Sequence, residues 1–195
     1  MASYLEINSA SRDRVVYPNP SQFVLPAEAT QSWLRSARSV RAYPSNPLAN
    51  IQEFVTSVEL KQMVTPWDAT FATITRLYVD FHSQTYNDQF LVQFPFGLNR
   101  DAKFVLCQDK IQNDGGGTPT FIIWKNVHHE QVMRFRRDEP VTLRVFTVDG
   151  LTLPIVDAVP PLPPDPRRQI TFSFSTMPYI RDPDIDNHLV GTTTG

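Results

Sequence analysis

The 195-residue sequence has a single cysteine, Cys107, so no disulfide can form within the chain. It has no apolar run near the roughly 20 residues that a membrane-spanning helix needs. Its 41% of hydrophobic residues come in short pieces, which predicts no membrane-spanning segment. The opening residues Met1-Ala2-Ser3-Tyr4-Leu5-Glu6 lack the basic and apolar regions of a secretory signal, and with the lone thiol they predict folding in a reducing, intracellular compartment. Charge of one sign is not in excess. With 18 basic and 20 acidic residues the net charge is −2, a field that neither demands nor excludes nucleic acid.

Recognisable catalytic and metal-binding spacings are also missing. His82, His128, His129 and His188 form no H-E-x-x-H or C-x-x-C type pattern, and the sequence predicts no metal site. Cys107 lies in the apolar run Phe104-Val105-Leu106 and reads as a small buried hydrophobe rather than a nucleophile. The acidic stretch Asp182-Pro183-Asp184-Ile185-Asp186-Asn187 sets carboxylates at alternate positions, as a calcium loop does. It has Asn187 where that loop needs glycine and Thr193 where it needs glutamate. Gly115, Gly116 and Gly117 match no phosphate-binding loop and read as a loop tip. Arg134, Arg136 and Arg137 form the densest basic cluster, and among balanced charges they read as a solvated strand face. No cofactor, no catalytic residue and no direct nucleic-acid contact are expected.

What the sequence does have is 17 prolines, too many for a helical bundle, and 13 phenylalanines, which favour pleated, half-buried surfaces. From Phe54 the apolar period is two. Phe54, Thr56, Val58 and Leu60 alternate with Val55, Ser57, Glu59 and Lys61, Leu77, Val79 and Phe81 form a second such run, and Phe90, Val92 and Phe94 a third. Further strands are predicted at 103–108, 121–125, 131–136, 141–148 and 169–175. The total of about eight predicts an all-β, single eight-stranded jelly-roll sandwich over residues 51–176. Its core is expected to hold Val58, Leu60, Leu77, Val79, Phe81, Phe90, Val92, Leu143, Val145, Phe172 and Phe174. Six prolines between Leu153 and Arg168 exclude a central strand there and predict a stiff crossover.

Residues 1–50 are broken by Tyr17-Pro18-Asn19-Pro20 and Tyr43-Pro44-Ser45-Asn46-Pro47. They read as an extended arm that docks on neighbouring subunits, with a short helix over 28–40. Residues 177–195 read as a polar tail.

Two segments resemble a known family. Ser11-Arg12-Asp13-Arg14 followed by Tyr17-Pro18-Asn19-Pro20-Ser21-Gln22-Phe23 is similar to the N-terminal arm of capsid proteins of large icosahedral nucleocytoplasmic DNA viruses of eukaryotes. The stretch Met133 to Val145, ending in Asp149-Gly150, looks like the penultimate strands of their single jelly-roll penton and minor capsid proteins. The resemblance implies a non-enzymatic structural role in the virion, assembled in the host cytoplasm. The penton at the vertex is the first expectation, and a minor protein lining or cementing the shell the second. It implies as partners other copies of this chain, including a pentamer, and the major and minor capsid proteins. Arg12, Asp13, Arg14, Tyr17, Pro18, Asn19, Pro20 and Phe23 would be the interaction residues. Two other classes compete: a glycan- or host-binding jelly roll using Trp67, Tyr86 and Trp124, and a cupin-type enzyme, for which clustered histidines are wanting.

Overall fold

The computed structural model describes residues 3–26, 53–83, 92–93, 101–102, 104–113, 119–127, 131–136 and 139–178. Eleven strands lie among them, in chain order β1 (Ser3–Asn8), β2 (Gln22–Leu25), β3 (Glu53–Pro66), β4 (Arg76–Ser83), β5 (Val92–Gln93), β6 (Asp101–Ala102), β7 (Phe104–Asn113), β8 (Pro119–Asn126), β9 (Gln131–Arg136), β10 (Val141–Phe146) and β11 (Thr171–Pro178). One short helix, α1 (Ala69–Ala72), is capped by Asp68, whose side chain accepts from the Thr70 N–H at 2.8 Å. The chain is all-β, as the proline and phenylalanine content predicts.

Nine strands form one antiparallel sheet in the order β1-β11-β3-β8-β7-β4-β10-β2, with β9 also paired to β3, and β5 and β6 form a separate ladder. The sheet curls until its two halves face each other. Phe81 of β4 stacks on Phe174 of β11 at 4.9 Å and meets Phe135 of β9 at 5.7 Å, while Phe23 of β2 lies 6.3 Å from Phe172 of β11. Five of the pairings nest one inside the next. The first strand pairs with the last, β2 with β10, β3 with β9, β4 with β7, and β5 with β6.

Nine of the eleven expected core residues are buried: Val58, Leu60, Leu77, Val79, Phe81, Leu143, Val145, Phe172 and Phe174. Phe90 and the side chain of Val92 lie outside the described residues, as does the expected helix over 28–40. The expected period of two changes phase inside β3. Ser173 and Phe174 of β11 pair with Gln62 and Leu60, skipping Lys61, so the buried set passes from Val58 and Leu60 to Met63 and Thr65. A bulge of this kind inserts one residue and exchanges the two faces.

The expectation of a docking arm requires correction over residues 3–26. Ser3–Asn8 pairs in register with Thr171 to Thr176, and Gln22–Leu25 pairs with Val141 to Arg144. Ile7, Phe23 and Leu25 are buried in the domain's own core. The prolines of this segment, Pro18 and Pro20, fall in the connection between β1 and β2 and remove no donor from either, and β1 and β2 are the two terminal strands of the sheet path.

The crossover from 153 to 168 has no strand structure beyond a bridge between Phe146 and Thr152 before it. It is anchored by the buried side chains of Leu153 and Ile155.

Candidate functional site

The residues singled out as an interaction motif assemble a corner between β1, β2 and the proline-rich crossover. A 3-10 turn over Ser9–Ser11 follows β1 and brings Arg12 beneath the crossover. The Arg12 guanidinium is buried and its five N–H groups are all used. Nε donates to the Tyr17 carbonyl (2.8 Å), Nη1 to the Ser9 carbonyl (2.6 Å) and Gln169 Oε1 (2.7 Å), and Nη2 to the Pro18 carbonyl (3.0 Å) and Asp157 Oδ2 (2.8 Å). Arg14 reaches the same carboxylate, with Nε 3.3 Å from Asp157 Oδ2, and donates to the carbonyls of Leu162 and Ala158. Asp157 Oδ1 accepts from the N–H groups of Ala158 (2.7 Å) and Asp165 (3.1 Å).

Two guanidiniums thus share one carboxylate. Burial by itself raises the Asp157 pKa, but the Gln169 side chain, the N–H groups of Asp165 and Ala158, and Arg12 outweigh it and hold the group at about 2. For Arg12, burial lowers the pKa and Asp157 opposes that shift, leaving a permanently charged group.

The rest of the motif is structural as well. Asp13 is exposed and its Oδ1 accepts from the N–H groups of Val15 and Val16, turning the chain. Asn19 Nδ2 donates to the Leu153 carbonyl at 2.8 Å, and its Oδ1 accepts from the Ser21 N–H. Tyr17 is half-buried against the core, Pro18 is exposed, Pro20 is buried and Phe23 is fully buried. Within these residues the motif ties the chain to itself. The partners Ser9, Asp157 and Gln169 were not anticipated. The one available sign was an acidic residue within the apolar, proline-rich crossover.

A second concave feature, of about 930 Å³, lies between α1 with the start of β4 and the loop after β10. Phe71, Ile74, Tyr78, Leu151 and Leu153 line it beside Arg76 and Asp149. Beneath it Tyr78 stacks on Phe146 with centroids 6.3 Å apart.

Trp124, weighed for sugar stacking, is fully buried and donates from Nε1 to Thr65 Oγ1 at 2.9 Å, so it cannot meet a ligand. Trp67 packs partly buried against the core, and Tyr86 lies outside the described residues. Cys107 is half-buried, more open than expected, because it sits on the outer face of β7 in register with Arg76 and Lys125. His82 Nδ1 lies 2.7 Å from Asp80 Oδ1. The other three histidines, Gly115 to Gly117, Arg137 and the acidic stretch from Asp182 lie outside the described residues, and Arg134 and Arg136 are placed only as positions on β9. Among the described residues no group of three or more His, Cys, Asp or Glu side chains is gathered to hold a metal ion, and no helix is long and apolar enough to cross a membrane.

No protein-family model matches the sequence, and no curated protein matches it.

Proposed function

We propose that this chain is a structural component of an icosahedral virus capsid, with the penton at the five-fold vertex as its place. The observation that carries the reading is the nested pairing of β1 with β11, β2 with β10, β3 with β9, β4 with β7 and β5 with β6. A long antiparallel hairpin rolled into two facing layers would give this pattern, which supports a jelly roll with Greek-key connections. The resemblance of the motif to the capsid family's arm supports the same reading, and in the fold the motif builds the hydrogen-bonded corner around Arg12. A jelly roll alone hosts lectins and enzymes too, and the resemblance of the motif is what favours the capsid reading among them.

A ring of five copies needs heterologous contacts that close on themselves. Locating the chain in a reconstruction of intact particles tests the proposal. Five copies at each vertex are expected. Density between major capsomers would assign the minor-protein role instead, and absence from purified particles would end the capsid reading.

A further inference from the structure

The groove between α1, the start of β4 and the loop after β10 holds about 930 Å³, within the range of small-ligand sites, and the fold leaves several of its polar groups unengaged. Arg76 and Asp149 line it, both exposed, and neither side chain makes an ion pair or a hydrogen bond among the described residues. The hydroxyls of Thr75 and Thr152 line it on the same terms. Three more threonines already donate within the fold, Thr70 to Asp68, Thr73 to the Thr70 carbonyl and Thr147 to the Leu151 carbonyl. Their oxygens can still accept.

The apolar part of the lining divides in two. Phe71 and Tyr78 are buried, and Tyr78 is stacked on Phe146, so neither offers an open ring face to a ligand. Leu151, 67% exposed, and the half-buried Ile74 are left for contact.

The walls are set before any ligand arrives. Asp68 caps α1, and the Ile74 N–H donates to the Phe71 carbonyl at 3.0 Å. The turn after β10 is closed by the Thr147 N–H on the Leu151 carbonyl and the Gly150 N–H on the Thr147 carbonyl, both at 2.9 Å, with Gly150 at φ 74°. Walls held in this way lose little entropy on binding.

Charge narrows the class of ligand. One guanidinium and one carboxylate are the charged groups of the lining, so the groove carries no net charge. A simple anion or cation would satisfy one of them and be repelled by the other. Arg76 only donates, Asp149 only accepts, and a threonine hydroxyl does both. The ligand that uses all of them is uncharged, carries several groups that donate and accept, and has an apolar face for Leu151 and Ile74. That is the chemistry of a sugar, whose hydroxyls surround a ring with C–H faces.

We infer that this groove binds a neutral oligosaccharide, with Arg76, Asp149, Thr75 and Thr152 taking its hydroxyls and Leu151 and Ile74 its C–H face. The site is separate from the aromatic residues that the sequence offered for sugar stacking, and it does not rest on the capsid reading.

Saturation-transfer NMR on the full-length protein tests this, with lactose, maltotriose, chitobiose and mannotriose as neutral probes and sialyllactose and a heparin disaccharide as acidic ones. At least one neutral probe is expected to bind, with an affinity that does not change with salt. Thr75→Val with Thr152→Val keeps the shape of the lining and removes two hydroxyls, while Asp149→Ala removes the acceptor. Each should weaken that binding by about tenfold or more at an unchanged thermal midpoint. No binding of any probe, equal binding by the variants, or binding of the acidic probes alone that fades with salt would each overturn the inference. Sugar binding by a chain that never enters particles would leave it standing and remove the capsid reading, and a chain found at the vertex that binds none of the probes would do the reverse.

Discussion

Replacing Arg12 by alanine should remove a strut from inside the fold. The guanidinium donates five hydrogen bonds, to three backbone carbonyls, the Gln169 side chain and the Asp157 carboxylate. Its loss strands those acceptors and leaves Asp157 with Arg14, at 3.3 Å, as its remaining cation in place of two. Removing one partner of a buried ion pair costs about 3–5 kcal/mol. At about 4 kcal/mol, and 2–4 °C per kcal/mol for a chain of this size, the thermal midpoint should fall by about 8–16 °C. Arg12→Lys should recover only a minor part, since an ammonium offers three donors from a point and not five from a plane. Urea unfolding of the two variants, with Asp157→Ala to complete a double-mutant cycle, measures both the loss and its coupling to the carboxylate. A loss under about 1 kcal/mol would refute an internal role for Arg12 and return it to the neighbour contacts that the motif first suggested.

Asp157 has a folded pKa of about 2, below its ordinary 3.8, so its contribution is complete above about pH 4 and vanishes as pH falls through 2. The contribution is about 2 kcal/mol, and stability measured across that window should fall more steeply for wild type than for Asp157→Asn. Phe81→Ala should cost about 3–5 kcal/mol at an unchanged urea slope, because the ring is fully buried between Phe174 and Phe135. Cys107→Ser should cost under about 1 kcal/mol, since the half-buried thiol can be replaced by a hydroxyl that finds water. Deleting residues 1–26 should give protein without a cooperative unfolding transition, because it takes two strands and the side chains of Ile7, Phe23 and Leu25 from the core. A soluble truncation that unfolds cooperatively would mean that the sheet closes without its terminal strands.

The fold class and most of the core were legible because they depend on local period. Leu77, Val79 and Phe81 alternate without interruption, and β4 buries all three. The phase change in β3 was not legible. Its bulge at Lys61 is set by pairing with Ser173 and Phe174, more than a hundred residues away, and no local feature marks it.

The N-terminal segment carried a signal that proline obscured. Leu5 and Ile7 alternate with Tyr4 and Glu6, and Phe23 and Leu25 flank Val24, which is strand patterning on the same terms as β4. Proline argues against central strands, but Pro18 and Pro20 lie between the two segments and leave both free to pair as the terminal strands of the sheet. The buried pair is a different matter. Arg12 and Asp157 are 145 residues apart, and a lone arginine in a loop is far more often solvated than enclosed. What makes enclosure tolerable is that the tight turn through Tyr17 and Pro18 aims two carbonyls at the guanidinium while Ser9 supplies a third. The proline spacing that suggested an outward-reaching arm is therefore also what shapes a cradle for Arg12, and Val15 and Val159 stay exposed on the outside of that cradle.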